Sequence, residues 1–159
     1  MDKSKLIEKL ISKLETERTT LAQAALSTYE AATHEESEAE DQYDTRGLEA
    51  SYLAGAQAKR VADIDQALHN LRVMNLRNFT ENDVIGASAL VGLDHDGKFS
   101  TCFLLPLGGG MSIENNGVNI QVITPKSPLG EAIIGRRVGD VALVDVGNQT
   151  KEYDIISIK

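Results

Sequence analysis

Proline and glycine are distributed so unevenly that they constrain this chain more than any other feature. All 3 prolines and most of the 13 glycines lie after Arg77, whereas residues 2–75 hold no proline and only Gly47 and Gly55. Proline removes a backbone donor and clashes with the preceding helical turn, and glycine raises the entropic cost of helix. The first half can therefore run as uninterrupted helix, while the second must turn repeatedly. Two domains are expected, over residues 1–76 and 77–159.

In the first segment Ile7, Ile11, Leu14, Leu21, Ala25, Thr28 and Ala32 recur at spacings of three, four or seven, a heptad seam interrupted by Arg18. A second run, Ala50, Ala54, Val61, Ile64, Leu68 and Leu71, repeats the spacing, and good helix formers fill most positions between. Neither helix can bury its stripe alone. An antiparallel pair solves this, with the chain reversing between Thr33 and Gly47. Small residues such as Ala25, Ala32, Ala50 and Ala54 gather towards the reversal, where the backbones can approach closely. About thirty residues of helix at 1.5 Å each predict a rod of roughly 45 Å.

The second segment reads as short β-rich runs divided by turns. Val84 to Leu93 is followed by Asp94-His95-Asp96-Gly97 and then Phe99 to Leu105; Asn115-Asn116-Gly117 precedes Val118 to Thr124; Gly147-Asn148 separates Val141 to Val146 from Tyr153 to Ile158. Pro128 to Gly135 predicts one short helix, with Ser127 as its cap, Pro128 in its first turn and Gly135 at its end. Five strands and one helix make a small α+β sheet domain.

Charge excludes some functions. Acidic residues outnumber basic ones 24 to 16, for a net charge of −8, so direct binding of duplex nucleic acid through a basic face is not expected. The single cysteine, Cys102, rules out an intrachain disulfide, and three scattered histidines do not form a zinc set with it, which fits a reducing cytoplasm. The amino terminus lacks the apolar core of a signal peptide and no window reaches the roughly 20 apolar residues of a membrane span, so a soluble, unprocessed protein without a membrane partner is expected.

Acid is concentrated in one place. Glu35 to Asp44 carries six carboxylates and no cation before Arg46, at the expected far end of the helical hairpin. An acidic run is ordinarily a solvated helix end or turn. Here like charges crowded at a tip repel one another. Carboxylates three or four residues apart can converge on a divalent cation. Tyr43 and Arg46 stand in the same cluster, able to stack on a base or meet a phosphate. Mg2+ keeps most of its waters and needs further carboxylates or phosphates, so such a tip is half a site. It would make chemical sense inserted into the metal-containing centre of another protein.

Other candidates are weaker. Gly108-Gly109-Gly110 lacks the Lys-Ser/Thr and helix of a phosphate loop and reads as a flexible hairpin end. No serine has the context of a nucleophile elbow, Cys102 reads as a small buried side chain, and His95 between two aspartates reads as turn chemistry.

The run from Ile123 through Ser127-Pro128-Leu129-Gly130 and Gly135-Arg136-Arg137-Val138-Gly139-Asp140 to the following β run resembles the signature of the bacterial transcript-cleavage factors GreA and GreB. That family has an antiparallel coiled coil with an acidic tip, here near residues 35–47, followed by an FKBP-like antiparallel sheet domain with one short helix. The resemblance implies an accessory factor, not an enzyme, that docks on RNA polymerase through the sheet domain and regulates elongation by passing the coiled coil down the secondary channel. There the family's tip carboxylates help hold a second Mg2+, which the isolated protein does not retain, and the polymerase cleaves backtracked RNA.

Residue by residue, the resemblance makes Asp41 and Asp44 the metal-orienting pair, Tyr43 and Arg46 contacts to the nascent RNA 3′ end, and Ser127, Pro128 and Leu129 the polymerase-docking element. A cytoplasmic monomer is expected. The tip departs from the family pattern: it reads Asp41-Gln42-Tyr43-Asp44, with Asp where the family has Glu and without the family's Asn. A carboxylate one methylene shorter displaces its oxygens by about an ångström, a shift that can cost about a hundredfold in rate. Two alternatives follow: a channel-binding regulator or inhibitor that does not promote cleavage, and a peptidyl-prolyl isomerase suggested only by the implied fold, for which the sheet domain is poor in aromatic residues.

Overall fold

A computed structural model describes residues 2–33 and 46–159. The acidic stretch with Asp41, Tyr43 and Asp44 lies outside the described residues, and Arg46 is described in its backbone alone. Two helices, α1 (Lys3–Thr33) and α2 (Arg46–Val73), precede six strands: β1 (Leu90–His95), β2 (Lys98–Leu104), β3 (Ser112–Asn115), β4 (Val118–Ile123), β5 (Val141–Val146) and β6 (Gln149–Ile158). A short helix, α3 (Pro128–Ile133), falls between β4 and β5. The chain forms two compact units, one of Ile7–Met74 and one of Asn75–Lys159 together with Met1–Leu6.

The helical unit is the expected antiparallel pair. Arg72 bonds Glu15 at 2.6 Å, Arg18 bonds Asp65 at 2.5 Å and Arg60 bonds Glu17 at 3.2 Å, so partners on α2 descend overall as positions on α1 rise. The seam is buried at Ile7, Leu10, Leu14, Ala54, Ile64, Leu68 and Leu71. Leu10, absent from the expected stripe, replaces Ile11 as the more buried neighbour. Arg18 interrupts the apolar pattern but not the packing, because it lies at the seam's flank and reaches Asp65. Neither described helix is long and apolar enough to cross a membrane.

The sheet has the order β3-β4-β2-β1-β6-β5. All pairings are antiparallel except β2 with β4, which run parallel, so the sheet is mixed where the sequence suggested a wholly antiparallel one. The cause is the sixth strand, β3, which the sequence reading missed: it pairs with β4 through the Asn116-Gly117 turn and brings β4 back alongside β2. The three expected hairpin turns form, and Asp96, Gly97, Asn116, Gly117 and Gly147 all adopt positive φ. The β-rich run at Val84 becomes a strand only from Leu90; before it, Ile85 exchanges backbone bonds with Arg136 and Gly135.

One face of the sheet carries the core, where Val91, Leu93, Leu104, Ile123, Ala142 and Ile155 meet Ile133 of α3. Phe103, Ile113, Ile120 and Val122 are buried as well. Cys102 is in the core, as expected.

Candidate partner-docking groove

The conformation of residues 124–130 is over-determined. Ser127 caps α3, its Oγ accepting from the Gly130 amide at 3.1 Å and donating to the Thr124 carbonyl at 2.7 Å. The Ser127 amide also donates to the Thr124 carbonyl, and the Ser127 carbonyl receives the Glu131 amide. Pro128 occupies the first turn, where a missing amide costs nothing. Gly130 is buried, and a Cβ on it would lie 1.9 Å from the Thr124 carbonyl oxygen, so no other residue fits without moving the backbone. Ser-Pro-Leu-Gly is therefore a rigid corner that holds Pro128 exposed and Leu129 half-buried.

The rest of the signature ties that corner to the sheet. Gly135 and Gly139 have φ of +77° and +90°, which L side chains rarely adopt. The Asp140 carboxylate accepts the Arg137 amide at 2.8 Å, Gly139 donates to the Ile155 carbonyl, and Ile155 donates back to Asp140. Arg137 donates to the Asn82 carbonyl. Gly135-Arg136-Arg137-Val138-Gly139-Asp140 thus ties the corner to the sheet.

Ser127, Pro128 and Leu129 converge on an open groove of about 600 Å³. Val144 and Val146 of β5 and Val122 and Ile123 of β4 supply apolar lining, while Gln121, Thr124 and Tyr153 supply polar groups. Gly108 to Gly110, expected to be a flexible hairpin end, is a turn bonded to β4: Gly110 donates to Val122, and Gly109 packs against Thr124. The sequence reading missed β5 and Tyr153 as parts of this site, because nothing local links them to Ser127. A mixed groove of this kind suits an apolar protein segment flanked by polar groups.

His95, expected in a turn, is instead the last residue of β1, just before the Asp96-Gly97 turn: its Nδ1 lies 2.7 Å from the Glu152 carbonyl and its ring rests against Tyr153 at 4.9 Å between centroids. Among the described residues no group of three or more His, Cys, Asp or Glu could hold a metal ion. The proposed metal pair Asp41 and Asp44 and the proposed RNA contact Tyr43 fall outside the described residues, and nothing is described of the Arg46 side chain.

A helical hairpin followed by a small mixed sheet with a corner-built groove defines the class of two-unit factors to which the sequence pattern pointed. The comparisons give the family. Residues 111–159 match the C-terminal domain of transcription elongation factor GreA/GreB. The transcription inhibitor protein Gfh1 of Thermus aquaticus is 30% identical over 155 residues, covering 95% of this chain and 90% of that protein. The transcription elongation factor GreA of Clostridium acetobutylicum is 29% identical over 121 residues, 74% of this chain and 69% of that one. The crystal structure of Gfh1 from Thermus thermophilus covers 96% of this chain and 94% of its own, at 26% identity and a TM-score of 0.39. The chain belongs to the GreA/GreB family.

Proposed function

We propose that this protein is a cytoplasmic accessory factor that binds RNA polymerase and regulates transcription elongation, without enzymatic activity of its own. Membership of the GreA/GreB family carries the reading. The groove supports it locally, because the three residues assigned to docking by the signature line one surface together with β5. In this reading Ser127, Pro128 and Leu129 meet the polymerase, and the hairpin carries the acidic tip to the active centre.

At that centre Asp41 and Asp44 would hold a second Mg2+ jointly with the polymerase and orient a water for hydrolysis of backtracked RNA, with Tyr43 and Arg46 against the RNA 3′ end. The metal would stabilise charge on the phosphate and activate the water. The relation to a transcription inhibitor over 95% of the chain favours a second reading, in which the same docking slows the polymerase without promoting cleavage. The isomerase reading is set aside, since the groove has one aromatic side chain among its described lining residues, Tyr153.

Retention of core polymerase by the purified protein, and its loss in Leu129→Asp, tests the docking. Stalled, backtracked complexes then separate the two activities. Release of short 3′ RNA above the polymerase's own rate, lost in Asp41→Ala and Asp44→Ala, supports cleavage. Slower nucleotide addition with no added cleavage selects inhibition, and failure to bind polymerase overturns both.

A further inference from the structure

β5 is one edge of the sheet: it pairs with β6 and, among the described residues, no strand lies along its other side. The β5–β6 pairing starts at Val146 and Gln149, around a two-residue turn whose flanking residues share a backbone hydrogen bond. Alternation then turns the amides and carbonyls of Val144 and Ala142 towards β6, and those of Asp145, Leu143 and Val141 away from it. The Ile155 amide, which donates to the Asp140 carbonyl at 2.9 Å, fits the same phase. Sheet edges are usually protected by a short strand, a lysine, a proline or a bulge. The opposite edge, β3, has only four residues. β5 has six, holds neither lysine nor proline, keeps an unbroken register with β6, and exposes Val141, Leu143 and Val146 at 41%, 55% and 51%.

The two faces beside this edge differ. Ala142 and Val144 are buried on the core side, and Val144 and Val146 line the groove. Val141, Leu143 and Asp145 point to the opposite face, with Thr150, Glu152 and Asp154 of β6 and Asp94 of β1 in register beside them. Every carboxylate and ammonium that β1, β5 and β6 place on that face is a carboxylate; Lys151, paired with Val144, is on the other. Asp94 and Asp154 stand directly opposite each other, a like-charge pairing that costs stability. Asp145 accepts the Thr150 hydroxyl at 2.6 Å, while Glu152 and Asp154 are exposed. A second copy of this chain, with its net charge of −8, would bring the same carboxylates against them.

We propose that the open edge of β5 takes up an extended segment of a partner protein in which apolar residues alternate with lysine or arginine. The segment adds to the sheet as one more strand and exchanges main-chain hydrogen bonds with Val141, Leu143 and Asp145. Its apolar row falls on the groove side, beside Ala142, Val144 and Val146. Its cationic row falls on the other face, where the methylene stems cover Val141 and Leu143. The charged heads reach Glu152 and Asp154 on the next strand, across two strand spacings of about 10 Å in all. Backbone bonding supplies affinity, and the carboxylates select a basic segment over an acidic one. This contact does not depend on the partner proposed for the groove.

The test is a titration of the 15N-labelled full-length protein with a capped hexapeptide of alternating valine and lysine, read by amide shifts and hydrogen exchange. The expected result is exchange slowed severalfold at the amides of Val141, Leu143 and Asp145, with binding that weakens as salt rises. The same peptide with glutamate in place of lysine, or with its amides N-methylated, does not bind. Leu143→Lys, at an exposed position, abolishes binding and leaves the unfolding midpoint unchanged. Glu152→Gln combined with Asp154→Asn weakens binding severalfold. Absence of protection at β5, equal binding of the glutamate or N-methylated peptide, or full binding by Leu143→Lys overturns the proposal. Protection of the same amides that grows with protein concentration, without peptide, assigns the edge to a second copy and overturns it as well.

Discussion

Gly130 lies so close to the Thr124 carbonyl oxygen that a Cβ on residue 130 would sit 1.9 Å from it. The contact turns one glycine into a requirement for the whole corner, since the same carbonyl accepts both the amide and the hydroxyl of Ser127. Gly130→Ala must push α3 away from β4. The expected loss is about 1–3 kcal/mol or more, the range for overpacking a filled site. Denaturant unfolding should show a lowered midpoint, and polymerase retention should fall further than stability alone explains, because Pro128 and Leu129 move with the helix.

Ser127 tests the same corner from its other side, without adding an atom against the Thr124 carbonyl. Its Oγ satisfies the Gly130 amide, so Ser127→Ala is expected to cost about 1 kcal/mol, as lost helix caps do. Ser127→Asp, which retains a capping oxygen but cannot donate to the Thr124 carbonyl, should recover only part of the stability. If Asp raises the unfolding midpoint but not polymerase retention, the hydroxyl itself contributes to docking.

Acid should weaken both units through separate carboxylates. The hydrogen bond from Arg18, reinforced by its charge, lowers the Asp65 pKa below the ordinary 3.8. The Thr80 amide and hydroxyl, followed by the Arg77 charge, do the same for Asp83. A carboxylate with a depressed folded-state pKa adds stability that is present above its unfolded value and is lost as pH falls through its folded one. The loss therefore begins near pH 4 and continues below it. Asp65→Asn and Asp83→Asn should each flatten the decline of thermal stability below pH 4. The Arg18–Asp65 pair is solvent-exposed, so high salt should blunt its part of the effect at neutral pH.

The Cys102 thiol should be silent in the native protein. Burial in the core pushes its pKa up to about 12, so almost no thiolate exists at neutral pH. A maleimide or an aromatic disulfide reagent is expected to label Cys102 only at the rate of unfolding, with fast stoichiometric labelling in denaturant. A raised thiol pKa also adds stability that is present below the unfolded value of 9.0 and lost as pH rises through the folded one. Cys102→Ala should lessen the alkaline loss of stability above pH 9.

Much of the architecture was legible because it rests on local physics. The seam of α2 at Ala54, Ile64, Leu68 and Leu71, the cap at Ser127 and the positive-φ turns at Asp96-Gly97 and Asn116-Gly117 each follow from the spacing or backbone freedom of neighbouring residues. β3 was not legible. Its four residues, Ser112 to Asn115, hold a single buried apolar side chain, Ile113, and become a strand only because β4 lies beside them.

The groove divides the same way. Ser127, Pro128 and Leu129 announced themselves by a contiguous motif, whereas Val144, Val146 and Tyr153 reach that surface through the order of strands in the sheet. Lys3 is the extreme case, since its sequence context is an ordinary amphipathic helix start. Its lowered proton affinity arises first from burial in the folded chain and then from the charge of Arg77, more than seventy positions away. The chain alone determined the helices, the turns and five of the six strands, and the family they spell, because periodicity and backbone restriction act over a few residues. Tertiary structure decided which distant side chains share one cavity and one dielectric, and so which groups acquire chemistry.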